Sequence, residues 1–130
     1  RQHYLRFRLP DTYRHLQAAG LRADHSMGFG RRTGFRAGVA HPFYFYDLLT
    51  ETPTSLRVWP FAAMDTALLH AGHTPASAVR EVGTLADRVR AVGGHFCTLF
   101  HNESPGGLAP WHGWRTAYPQ ILERAACGSE

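Results

Sequence analysis

TPASAVREVGTLADRVRAVGGHFCTLFHNE, residues 74–103, decides the fold class. Thr74 and Pro75 are helix-start residues: a threonine oxygen takes one free backbone amide, and proline has none to leave unpaired in the first turn. Val79, Val82, Leu85, Ala86, Val89 and Val92 recur at steps of three and four. That spacing predicts a helix over about 75–92 with one buried face. Gly93-Gly94 ends it, and His95–Phe100 reads as a short buried strand. His101, Asn102 and Glu103 stand at the C-terminal end of that strand.

Working outward, the same alternation recurs. Pro10-Asp11-Thr12-Tyr13 opens a helix over about 10–19, with Asp11 near its positive dipole end and Gly20 in the capping position. Arg1–Phe7 reads as a strand, or as the end of one that begins upstream. Leu21–Met27 reads as a short strand ending near Asp24, His25 and Ser26, and glycines 28, 30 and 34 break the next stretch into loop. His41, Phe43, Tyr44, Phe45 and Tyr46 fit no simple amphipathic period and read as a structured loop packed over something, ending at Asp47. Leu56–Phe61 is strand-like, Thr66–His70 turns helical, a glycine- and proline-rich loop runs to Pro110, and Trp114–Ala126 is the last helix. Strands alternating with helices predict parallel pairing with right-handed crossovers. Function then collects beyond the C-terminal ends of the strands. Those ends carry His3, Asp24, Ser26, Asp65, and His101 with Asn102 and Glu103.

Composition narrows the class. The chain has 130 residues, 44% hydrophobic and 18% charged, which fits one globular α/β-type domain or a piece of one. Its net charge of +4 comes from fourteen arginines and no lysine. Lysine, isoleucine and asparagine share AT-rich codons, and the last two occur once each, so the arginine excess reflects GC-rich coding. The arginines are scattered apart from Arg31-Arg32, whereas a nucleic-acid binder gathers them on one face. No apolar run is long enough for a membrane span, and no leader pattern opens the chain, which leads to the expectation of a cytoplasmic protein. Two cysteines, Cys97 and Cys127, make neither a disulfide scaffold nor a four-thiolate zinc site. Cys97 reads as a small buried hydrophobe, and Cys127 as part of a frayed end.

Several residues carry chemistry. His101 closes an apolar strand and can give or take a proton near neutral pH; the alternative is a histidine that only bonds backbone at a strand end. Arg36, between glycines in Gly34–Gly38, can clamp a carboxylate or an anionic intermediate; the alternative is a solvated loop arginine. Asp24, Asp47 and Asp65 lie beside apolar neighbours and need partners, with helix capping the plainer account of Asp65. His70 and His73 lack the spacing and the intervening glutamate of a zinc-protease helix. Trp114 and Tyr118 read as anchors of the last helix, while Trp111 can line a groove.

Seven segments, taken in order, carry a resemblance. They are Arg1-Gln2-His3-Tyr4-Leu5-Arg6, Pro10-x-Thr12-Tyr13, Asp24-x-Ser26-Met27-Gly28, Gly34-Phe35-Arg36-Ala37-Gly38, Pro42-Phe43-x-Phe45-Tyr46-Asp47-Leu48, Pro60-Phe61-x-x-Met64-Asp65 and Leu99-x-His101-Asn102-Glu103-Ser104. Over about residues 1–122 the chain resembles the C-terminal half of a bacterial polysaccharide deacetylase-like protein. The resemblance implies the C-terminal part of a deformed parallel (β/α)7 barrel. It implies removal of N- or O-acetyl groups from a carbohydrate by a divalent metal, zinc, with the paired aspartates and the other metal ligands upstream of Arg1. His101 would be the general acid, and Arg36 would orient the base aspartate, although Ala37-Gly38 depart from the family's arginine-proline-proline-tyrosine loop. Asp24 joins them as a catalytic candidate, and His3 as a candidate metal ligand. Trp111, Tyr46 and Asn102 are expected to touch substrate. On this reading residues 1–130 are a partial catalytic domain, and Arg36 and His101 share one rim. Two other readings stand beside it: a catalytically inactive glycan-binding barrel using Phe43–Tyr46 and Trp111, and an arginine-rich polyanion-binding domain.

Overall fold

The computed structural model describes residues 1–126 and is a mixed α/β structure. The expected frayed end at Cys127 lies outside the described residues. Among the described residues five short strands run in chain order: β1 (Ala23–Asp24), β2 (Phe43–Asp47), β3 (Thr52–Val58), β4 (Ala63–Met64) and β5 (Thr98–Leu99). Five helices accompany them: α1 (Asp11–Ala18), α2 (Asp65–His70), α3 (Pro75–Ala91), α4 (Glu103–Gly106) and α5 (Trp114–Ala126). The order in the larger sheet is β1-β3-β2, and β4 pairs with β5 in a second, two-stranded sheet. β1 runs parallel to β3, with Asp24 opposite Val58, and β4 runs parallel to β5, with Met64 opposite Leu99. Trp59 N donates to Asp24 O, Phe61 N to Met27 O and Ala62 N to Cys97 O, so the stretch after β3 passes from one sheet into the other.

The helices form where the periodicity places them. Thr74 accepts a hydrogen bond from Ser77 N and Pro75 opens α3, whose buried face is Ala78, Val82, Leu85, Ala86 and Val89. Ala78, Val82 and Leu85 of that face pack with Ala63, Leu68, Trp111, Trp114 and Ile121. Burial of a side chain such as Val82 or Ile121 contributes roughly 1.5–3 kcal/mol. α1 buries Tyr13 against Leu56 and Val58 of β3. Gly28 carries the chain across the Phe61 ring, where a Cβ would overlap the ring itself.

Three expectations need correction. The aromatic run 43–46 is not a loop: it is β2, antiparallel to β3, so the pairing is mixed and not all parallel. Phe43 and Phe45 face the α1 core while Tyr44 and Tyr46 are exposed, which is ordinary strand alternation. Residues 1–7 do not form a strand: His3–Leu5 is a single 3-10 turn, with Tyr4 at φ 55° and Leu5 at φ 52°. The loop after His101 also contains the short helix α4. Among the described residues no helix is long and apolar enough to cross a membrane.

Candidate active site

The parallel register of β4 and β5 brings two distant residues together. Asp65 follows Met64 directly and His101 stands two residues after Leu99, so both leave the same end of the ladder. His101 Nδ1 lies 2.7 Å from Asp65 Oδ1, and His101 N donates to Oδ2 at 2.6 Å. Thr66 N donates to Oδ1 at 2.7 Å. Asp65 is completely buried, whereas the His101 side chain is 47% exposed. A carboxylate accepts and does not donate, so Nδ1 carries the hydrogen. Nε2 is the ring nitrogen left for chemistry. A buried carboxylate that fixes the tautomer and orientation of a half-exposed imidazole is a proton-transfer arrangement. Asp65 is not the helix cap expected of it: it is the first residue of α2, Met64 holds the N-cap position without a side-chain cap bond, and the Asp65 carboxylate serves Thr66 N and, above all, His101. Sequence reading placed both residues at strand ends and missed that they pair.

His101 lines a cavity of about 320 Å³, with Arg1, Tyr4, Leu5, Thr66 and His70 among its other walls. The N-terminal strap that forms part of this wall is fixed from outside. Gln2 N donates to Ser26 Oγ at 2.7 Å, Arg1 Nε donates to His25 O at 3.1 Å, and Leu5 packs against Phe61, Met64 and Leu99. Two consecutive left-handed residues that are not glycine cost about 1–3 kcal/mol each, and these tethers offset that cost.

Asp24 occupies a different environment. It is 1% exposed and accepts from Tyr13 OH at 3.1 Å, Ser26 N at 2.9 Å and Ser26 Oγ at 2.7 Å. Burial, and then the neighbouring Asp24 charge, push the Tyr13 phenol well above its ordinary range, so Tyr13 stays a neutral donor. Arg36 belongs to this side of the molecule. Its guanidinium lies 4.5 Å from the centre of the Phe7 ring, which stacks on Tyr13, and it reaches Gly28 O at 3.4 Å. Both charges act on Tyr13, and neither Arg36 nor Asp24 is among the residues lining the His101 cavity.

The remaining candidates divide. Trp111 and Asn102 line one cavity of about 380 Å³ with Glu103 and Leu108. Trp111 is also an anchor, its ring at 90° to that of Trp114 and its surface almost entirely covered. Tyr46 is exposed on β2, its hydroxyl 3.3 Å from Glu51 Oε2, and it lines neither cavity. His3 is exposed, with its ring edge-on to Tyr4 at 4.5 Å. Among the described residues no group of three or more His, Cys, Asp or Glu side chains could hold a metal ion, so these residues do not themselves supply the zinc site that the resemblance implies. Cys97 packs with the Phe61 cluster, and burial pushes its thiol up.

A scan against protein-family models, a search of curated proteins and a search of solved structures each found no match to the chain.

Proposed function

We propose that the protein containing this chain hydrolyses acetyl groups on a carbohydrate and that His101 is its general acid. The observation that carries this reading is the buried Asp65 carboxylate holding the Nδ1 side of a half-exposed His101 that lines a cavity. Water adds to the acyl carbon, the C–N or C–O bond breaks, acetate leaves, and His101 Nε2 gives its proton to the departing amine or alcohol. The base that takes the proton from water is, on this reading, an aspartate outside residues 1–126, in the remainder of a (β/α)7 barrel. Zinc belongs to the proposal through the resemblance, and no step is derived through it.

The test is acetate release from N-acetylated and O-acetylated oligosaccharides by the full-length protein. His101→Ala should lower kcat by about 10²–10⁴-fold, with bound metal unchanged. Unchanged turnover per molecule of His101→Ala overturns the assignment. An unmodified protein that binds the oligosaccharides but releases no acetate supports the inactive glycan-binding barrel instead.

A further inference from the structure

We propose that Tyr4 is a substrate-contacting residue of the His101 cavity, its ring forming a wall against which a sugar ring packs. The proposal rests on the carbohydrate reading above and adds a contact to the same site. Tyr4 is 82% exposed, the highest value among the large hydrophobic side chains of the described residues, and it lines the cavity that holds His101. An aromatic ring so exposed contributes little to the core. It is nevertheless held: His3 packs edge-on to it at 4.5 Å, and the Arg6 guanidinium lies 5.9 Å from its centre.

The backbone beneath the ring points the same way. Tyr4 at φ 55° and Leu5 at φ 52° both occupy the left-handed region, which suits glycine and strains other residues. A strained pair survives only where surrounding structure enforces it, and such pairs gather at ligand clamps. Here the enforcement is visible on both sides of Tyr4. Gln2 is bonded to Ser26, which is bonded in turn to the buried Asp24, and Leu5 is packed among Phe61, Met64 and Leu99. The Asp24 network thus positions the strap that carries Tyr4 to the cavity. A tyrosine offers an apolar ring to the C–H face of a pyranose and a hydroxyl to its oxygens. His101 and Thr66 line the same cavity with groups that donate and accept hydrogen bonds.

The experiment uses the full-length protein with two probes, tri-N-acetylchitotriose and O-acetylated xylotriose. Binding is measured by calorimetry, acetate release by steady-state kinetics, and thermal unfolding is followed in parallel. Tyr4→Ala should weaken binding of the trisaccharide that the unmodified protein takes by about tenfold. It should raise KM to match, with kcat within about twofold. Tyr4→Phe should retain most of the affinity. Tyr4→Gly should raise Tm, because the left-handed strain is relieved, while losing affinity like Tyr4→Ala. Unchanged affinity in Tyr4→Ala, or a fall in kcat with KM unaltered, overturns the contact and leaves the hydrolase reading in place. Weakened binding in Tyr4→Ala by a protein that releases no acetate supports the contact and removes the hydrolase reading. An unmodified protein that binds neither trisaccharide overturns both.

Discussion

Asp24 and Asp65 are both buried aspartates at the ends of parallel strands, yet their surroundings give them opposite uses. Asp24 is enclosed by a phenol, a serine hydroxyl and a serine amide, two of the three donors belonging to Ser26 and all of them to buried side chains or backbone. Its charge is spent inside the protein, pinning α1 to β1 and Ser26 to the N-terminal strap. Asp65 is buried just as deeply, but one of its partners is a ring that reaches solvent and a cavity. No buried side-chain polar atom among the described residues lacks a hydrogen-bond partner, so satisfaction does not separate the two sites. What separates them is whether the partner of the carboxylate can still meet another molecule.

The sharpest way to break this contrast is Asp65→Asn. The amide has one acceptor oxygen where the carboxylate has two, and the carboxylate serves three N–H donors. In one orientation the amide NH2 opposes His101 N–H. In the other it faces Nδ1, which then accepts and moves the ring hydrogen to Nε2. Either outcome disturbs the acid, so kcat should fall by about 10²–10⁴-fold, as for His101→Ala. Imidazole 15N shifts of His101 report the tautomer directly. A variant with native turnover and a native His101 tautomer would show that Asp65 does not set the ring.

Asp24 should answer differently. Asp24→Ala leaves the Tyr13 hydroxyl and the Ser26 amide without their buried acceptor, a loss of about 2–4 kcal/mol of stability. Denaturant unfolding measures it as a lower midpoint at unchanged slope. Turnover per folded molecule at saturating substrate should stay within about twofold of the unmodified protein. A kcat loss as large as that of Asp65→Asn, with stability intact, would restore Asp24 as a catalytic group and erase the distinction.

The two sites were unequally legible in the sequence. Helix α3 stands out because its valines and Leu85 keep a period near 3.6 between a capping threonine and a glycine pair, and α5 is legible to its observed bounds. The strand ends at Asp24, Asp65 and His101 followed from the same alternation. The Asp65–His101 pair did not, because 36 residues separate the partners and only the β4–β5 register joins them. Strand β2 was hidden because four successive aromatics are all bulky and apolar enough to pack. The informative difference was one oxygen, with Phe43 and Phe45 turned inward and Tyr44 and Tyr46 outward. The strap at 1–7 reads as a strand in sequence because Tyr4 and Phe7 carry high strand propensity. Its left-handed turn is imposed by Ser26 and the Phe61 cluster, which local sequence does not display.

Asp47 gives the smallest and most specific test, because it is a third buried aspartate whose partner carries a full charge. Arg14 donates to both of its oxygens, at 2.8 and 2.6 Å, and Leu49 N donates at 2.9 Å. The Arg14 guanidinium first, and the Leu49 amide second, hold its carboxyl down at about 2, against an ordinary value of 3.8. Between those two pH values the unfolded chain binds a proton that the folded chain refuses. The stabilisation is therefore complete above about pH 4–5 and declines as pH falls through 3.8 towards 2. Arg14 is partly open to solvent, which keeps the effect modest. Asp47→Asn should reduce stability at neutral pH and flatten the acid limb of the stability curve, as read from urea unfolding at steps between pH 2 and 7. Turnover should not follow, because Asp47 lines neither cavity. If the acid limb keeps its slope in this variant, the linkage lies elsewhere. The Arg14 contact would then hold Asp47 through geometry alone.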